Sequence, residues 1–153
     1  MTEYVVGFAF DTSRKVALIR KTHPDWQKNL LNGIGGKLEE QDKNQSFPTD
    51  TCAMVREFQE ETGLLINAGR WKKFHQERWP NGNVVSFFAV GLLPGEWPES
   101  KSDEQIVLVQ WDHWSLFDWR IRGCLYNLHY LVPMAYCFLY DKPELYPFHA
   151  API

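Results

Sequence analysis

The chain has 153 residues, 44% of them hydrophobic, enough to bury one core and too few for two ordinary domains, so a single domain over residues 1–153 is expected. A formal net charge of −3 excludes a general basic surface for nucleic-acid backbones. No stretch is long and apolar enough to span a bilayer, so a soluble cytoplasmic protein, monomer or homodimer, is expected.

In chain order, Tyr4 to Phe10 and Val16 to Lys21 are apolar runs around Asp11-Thr12-Ser13-Arg14, the pattern of a β-hairpin. Residues 23 to 29 read as a loop, and Leu30-Leu31 leads into a glycine-rich turn, Asn32-Gly33-Ile34-Gly35-Gly36-Lys37. A helix is expected from near Thr49, capped by its hydroxyl, with Asp50 in the first turn and Ala53, Met54, Val55 and Phe58 on its buried side. Gly63 ends it in the left-handed conformation that glycine tolerates. Strands follow at Leu64–Ile66, Arg70–Trp79 and Val84–Leu93, the last two joined at Pro80-Asn81-Gly82-Asn83, then at Ile106–Trp111 after a polar loop. Leu125 to Leu139 reads as a closing helix that Pro133 should kink or break. The pattern is a mixed sheet between two principal helices. Cys52, Cys124 and Cys137 are odd in number and lack C-x-x-C spacing, which argues for reduced thiols; His23, His75, His113, His129 and His149 show no metal-ligand spacing.

The chemistry concentrates in Arg56-Glu57-Phe58-Gln59-Glu60-Glu61-Thr62-Gly63-Leu64. Glu57, Glu60 and Glu61 stand at i, i+3 and i+4 and share one helix face. Three carboxylates held that close repel one another unless a cation neutralises them, and oxygen ligands suit a hard divalent ion, Mg²⁺ or Mn²⁺. A solvated acidic helix face is the alternative. The glycine turn shifts the balance: Gly35 and Gly36 let backbone approach a ligand closely, and Lys37 supplies a cation, a combination that suits a polyphosphate. Arg56, within i+4 reach of Glu60, would orient carboxylates, while Lys37 would contact phosphate.

Gly36 and the run from Arg56 to Leu64 resemble the two ends of the Nudix box of MutT-like hydrolases. The second half matches at every defined position; the first half is about six residues too long. Glu40 to Ser46 reads as a polar insertion, and Pro48 stands where the family's first glutamate falls. In the family that glutamate is thought to pair with the box arginine, and Glu39, Glu40, Asp42 or Asp50 could substitute for it here. The resemblance implies an α/β/α sandwich with a mixed β-sheet. It further implies a catalytic group of Arg56, Glu57, Glu60 and Glu61, with Glu57, Glu60 and Glu61 as metal ligands. The general base would be a carboxylate beyond the box: Glu104 or Asp103, with Glu96 and Glu99 weaker and Glu60 or Glu61 as alternatives. Asn32 matches an Asn-Gly-x-Gly-Gly-Lys form of relatives that hydrolyse purine triphosphates, where the asparagine can reach a base edge.

Trp26 and Trp79 are candidates for stacking on a nucleobase or for packing, and Trp114, Trp119 and Tyr126 are weaker ones. The substrate-binding set is therefore Trp26, Asn32, Gly35, Gly36, Lys37 and Trp79. The expected activity is Mg²⁺-dependent cleavage of a phosphoanhydride bond in a nucleotide, foremost a (d)NTP giving the monophosphate and pyrophosphate. The alternatives are a nucleoside diphosphate derivative such as ADP-ribose, a nucleotide sugar or a dinucleoside polyphosphate, or a non-catalytic nucleotide sensor prompted by Pro48.

Overall fold

The computed structural model describes residues 1–43, 46–111, 123–125 and 127–140. The two apolar runs at the start form strands β1 (Glu3–Phe10) and β2 (Lys15–Arg20). Between them Asp11 Oδ1 accepts the backbone N–H groups of Ser13 and Lys15 at 2.9 and 2.8 Å, the local bonding that makes aspartate a turn former. Then come β3 (Leu31–Asn32), β4 (Ile34–Lys37), helix α1 (Thr49–Thr62), β5 (Lys72–Arg78), β6 (Val84–Gly91), β7 (Gln105–Gln110) and helix α2 (Leu128–Tyr140). The sheet runs β3-β2-β1-β6-β5, with β4 also on β1 and β7 on β2. β1 and β6 are parallel and the other pairs antiparallel, so the sheet is mixed.

Both faces of the sheet are buried, and the two-residue period of the strands sorts their side chains between two cores. Phe8, Phe10, Val16, Leu18, Val85 and Phe87 meet Leu128, Leu131, Val132, Ala135 and Tyr136 of α2. Their neighbours Val5, Ala9, Ala17, Ile19, Phe88 and Val90 meet Ala53, Met54 and Phe58 of α1. The result is the expected α/β/α sandwich. Gly63 closes α1 at φ 78°, its N–H bonded to the Gln59 carbonyl at 2.8 Å.

Several local expectations are corrected. The cap of α1 is Pro48, with no side-chain cap bond; Thr49 is already helical, and Asp50 Oδ1 takes the Thr51 N–H instead. Val55 is only partly buried. Leu64–Ile66 forms no strand: Ile66 is buried and Leu65 exposed, an alternation that reports burial without a pairing partner. The glycine segment is not a turn but strand β4, with Gly35 opposite Val6 and Gly36 opposite Val5. Pro133 does not break α2. Proline in a helix interior costs about 3 kcal/mol, whereas burying each large apolar side chain contributes about 1.5–3 kcal/mol. Leu128, Leu131, Val132 and Tyr136 together outweigh it.

Candidate active site

The glycines of β4 are required by what lies against them. A side chain at Gly35 would run into the Val5 carbonyl, and one at Gly36 into the Glu57 carboxylate. Ile34 and Gly36 point to the α1 face of the sheet, so the bare backbone at Gly36 is what lets α1 seat Glu57 almost out of water. Burial pushes the Glu57 carboxyl pKa up, Arg56 opposes that shift, and the charges of Glu60 and Glu61 reinforce it. Glu60 is 55% exposed. Glu61, half-buried, accepts the Ser102 hydroxyl at 2.5 Å.

Arg56 is saturated. A guanidinium carries five N–H donors, and each has an acceptor: Nε to Asp42 Oδ1 at 2.8 Å, Nη2 to Asp42 Oδ2 and the Lys37 carbonyl, both at 2.9 Å, and Nη1 to Glu57 Oε1 at 2.9 Å and Glu60 Oε2 at 3.3 Å. No donor is left over for another ligand, so Arg56 braces Glu57 and Glu60. Of the four acidic residues weighed as its partner, Asp42 makes the two-pronged contact. It is 3% exposed and lies in a 3-10 turn of the inserted segment, where its Oδ2 also accepts the Glu39 N–H at 2.8 Å. Burial raises the Asp42 pKa, but the bonds from Arg56 and Glu39 outweigh it and hold the group below the usual carboxylate range. The Arg56 pKa is raised, first by the bond to Asp42. Glu39 approaches Arg56 only to 3.7 Å, Glu40 pairs with Lys43, and Asp50 pairs with Lys73. Asn44 and Gln45 of the insertion lie outside the described residues.

Glu104, 3% exposed, has both oxygens engaged. Oε1 accepts Lys21 Nζ at 2.9 Å, and Oε2 accepts the Thr22 N–H at 2.5 Å and its hydroxyl at 3.3 Å. Burial pushes its pKa up, and the bonds from Lys21 and Thr22 more than reverse that. Asp103 is exposed, Glu96 is bonded twice to Arg70, and Glu99 pairs with Lys101.

The remaining candidates are spread more widely. Asn32 accepts the Gly33 N–H at 2.8 Å, and its amide nitrogen donates to Gln27 Oε1 at 3.4 Å, so both ends serve the local chain. Lys37 is exposed on β4, and strand alternation sets it on the sheet face opposite Gly36. Trp26 is 58% exposed on a 3-10 turn, whereas Trp79 packs against the α2-side core. His113, Trp114, Trp119, Tyr126 and His149 lie outside the described residues. Sequence reading missed Lys21, Gln27 and Ser102. The one usable signal for Lys21 was the pairing of β2 with β7, which sets Arg20 opposite Gln105 and so Lys21 beside Glu104.

Among the described residues, no three Asp, Glu, His or Cys side chains converge on a point suited to a metal ion. Glu57 and Glu60 turn to Arg56 and Glu61 to Ser102. The donor set nonetheless fits a hard divalent cation: three carboxylates on one helix face, two of them accessible, with mutual repulsion that a cation relieves.

A family model described as NUDIX domain matches residues 2–120. No curated protein matches. Among solved structures, the chain is similar to a MutT/nudix family protein from Enterococcus faecalis, with 22% identity and a TM-score of 0.55, covering 70% of this chain and 42% of that one. It is also similar to the NUDIX domain of Shewanella oneidensis NrtR complexed with ADP ribose, with 18% identity, coverage of 90% and 87%, and a TM-score of 0.63. A third likeness is to MutT, from the pair Aliivibrio salmonicida and Vibrio cholerae, with 19% identity, coverage of 94% and 92%, and a TM-score of 0.55. At these identities the structural likeness speaks to the fold.

Proposed function

The chain belongs to the NUDIX domain family, and from that premise we propose that it is a Mg²⁺-dependent nucleotide pyrophosphohydrolase acting on a (d)NTP to give the monophosphate and pyrophosphate. The observation that carries this reading is the braced carboxylate face of α1: Arg56, spent entirely on structure, orients Glu57 and Glu60 beside the bare backbone of Gly36. Glu57, Glu60 and Glu61 would hold the metal. When bound, such an ion neutralises phosphate oxygens and lowers the pKa of a coordinated water.

The chain's own groups do the rest. Asp42 locks Arg56, and Arg56 in turn limits the rotamers open to Glu57 and Glu60, so that little reorganisation is needed when substrate arrives. The proton of the attacking water goes to a carboxylate of this same face, Glu60 or Glu61, since both oxygens of Glu104 are engaged.

A second reading, hydrolysis of a nucleoside diphosphate derivative, is favoured by the likeness to a NUDIX domain that was crystallised with ADP ribose. Incubating the protein with Mg²⁺ and a panel of triphosphates, ADP-ribose, nucleotide sugars, dinucleoside polyphosphates and capped RNA, with chromatographic identification of products, separates the two. Pyrophosphate from a triphosphate supports the first reading, and two monophosphates from ADP-ribose the second. No product from any compound would point to a sensor.

A further inference from the structure

The loop between β2 and β3 is closed at its base by backbone bonds, Lys21 N–H to the Leu30 carbonyl at 2.9 Å and Asn29 N–H to the Lys21 carbonyl at 2.8 Å. Its tip is the 3-10 turn Asp25–Gln27, which buries no residue and leaves Trp26 58% exposed. A large aromatic side chain with so little packing contributes little to the fold and offers a face to a flat ring. Among the described residues, Glu104 ties the root of this loop to the rest of the molecule. Its carboxylate grips Lys21 and Thr22 at the loop's root, its N–H donates to Ser102 Oγ at 3.1 Å, and the Ser102 hydroxyl donates to Glu61 Oε2 at 2.5 Å. A continuous hydrogen-bonded chain thus runs from the loop to the last carboxylate of α1. At the other end of the loop, Gln27 accepts the Asn32 amide beside β4.

We propose that Glu104 is a positioning residue that, through Lys21 and Thr22, fixes the 22–29 loop relative to Glu61 so that Trp26 forms the stacking platform for the nucleobase of the substrate. The substrate half of this inference rests on the nucleotide reading above, while the clamp itself does not. A general base must turn an oxygen toward the water it deprotonates. The Glu104 oxygens face Lys21 and Thr22 instead, and their low proton affinity suits an ion-pair partner better than a base.

The test uses Glu104→Gln, Lys21→Met and the double variant, with Trp26→Phe to assign the Trp26 indole N–H resonance in ¹⁵N-labelled protein. The double variant removes both charges together and avoids a buried unpaired ion, so it covers the case in which a single variant folds poorly. The expected results are a displaced Trp26 resonance in all three variants, KM raised about tenfold with kcat within about threefold, and a double variant no worse than the weaker single one. In the wild-type protein, nucleoside monophosphates (AMP, GMP, CMP or UMP) should shift the Trp26 resonance, and inorganic pyrophosphate alone should not. A hundredfold fall in kcat at unchanged KM in Glu104→Gln, with Lys21→Met near wild type, would identify a base and overturn the clamp. An unmoved indole resonance in the variants would overturn it as well. No response to any monophosphate, or an equal response to pyrophosphate, would overturn the platform. Failure of the wild type to hydrolyse any nucleotide, with the resonance still displaced in the variants, would count against the enzymatic reading alone.

Discussion

Asp42→Asn isolates the contact on which the carboxylate face depends. The substitution keeps the side-chain shape but removes the charge and replaces one acceptor oxygen by a donor, which opposes an Arg56 N–H in either orientation and the Glu39 N–H as well in one of them. Severing a buried ion pair by removing one partner costs about 3–5 kcal/mol. Arg56 keeps Glu57, Glu60 and the Lys37 carbonyl, so the low end, about 3 kcal/mol, applies. At about 2–4 °C per kcal/mol for a domain of this size, Tm should fall by about 6–12 °C. With Arg56 loosened, Glu57 and Glu60 lose their support, and changes to groups that orient metal ligands typically lower metal affinity or activity by about 10–100-fold. Calorimetry of both proteins gives the first quantity and initial rates across a Mg²⁺ titration the second. A Tm within 2 °C of wild type together with kcat within about twofold would refute the reasoning, because the Asp42–Arg56 contact would then behave like a solvated surface pair.

Other consequences follow from neighbouring contacts. Gly36→Ala should lower kcat by at least about tenfold while leaving a folded protein, since the added methyl displaces the Glu57 carboxylate; rates and a circular-dichroism melt check it. Deleting residues 40–46 should change loop-closure entropy by less than about 1 kcal/mol, yet it removes Asp42, so activity should collapse, and Pro48→Glu in the deleted chain should restore part of it. On acidification, Asp42, Glu96 and Glu104 act together: each has a folded-state pKa below its unfolded value, so their contribution is complete above about pH 5 and is lost as pH falls through the folded values. Tm should therefore drop steeply below about pH 4, and less steeply in Glu104→Gln; a Tm that rises on acidification would contradict the assignment.

The parts legible in the sequence were those set by local periodicity. The i, i+3, i+4 carboxylates, the closing glycine of α1, the β1–β2 turn and the Gly82 hairpin depend on neighbours a few residues away, and the structure builds each of them. What could not be read depends on distant backbone. Gly35 and Gly36 looked like a turn because glycine is common in turns, but here their missing side chains admit the Val5 carbonyl and the Glu57 carboxylate. Nothing in the spacing separates Asp42 from Glu39, Glu40 or Asp50; only the 3-10 turn that buries Asp42 beside Arg56 does so. Asn32 and Trp79 carry residue types suited to a base, yet local bonds occupy the first and the core takes the second. The Lys21–Glu104 pair spans 83 positions and becomes visible once β2 and β7 are paired.

The central claim, that the α1 carboxylates support metal-dependent cleavage of a nucleotide phosphoanhydride, is tested most directly by comparing wild type with Glu60→Gln and Glu61→Gln on the best substrate of the panel, each across a full Mg²⁺ saturation curve. Both substitutions nearly conserve volume at accessible positions, so folding should be preserved while one negative ligand is lost in each. The account predicts turnover at saturating Mg²⁺ reduced by at least about a hundredfold in both variants, with unchanged Tm. Turnover within a few-fold of wild type in both would contradict it.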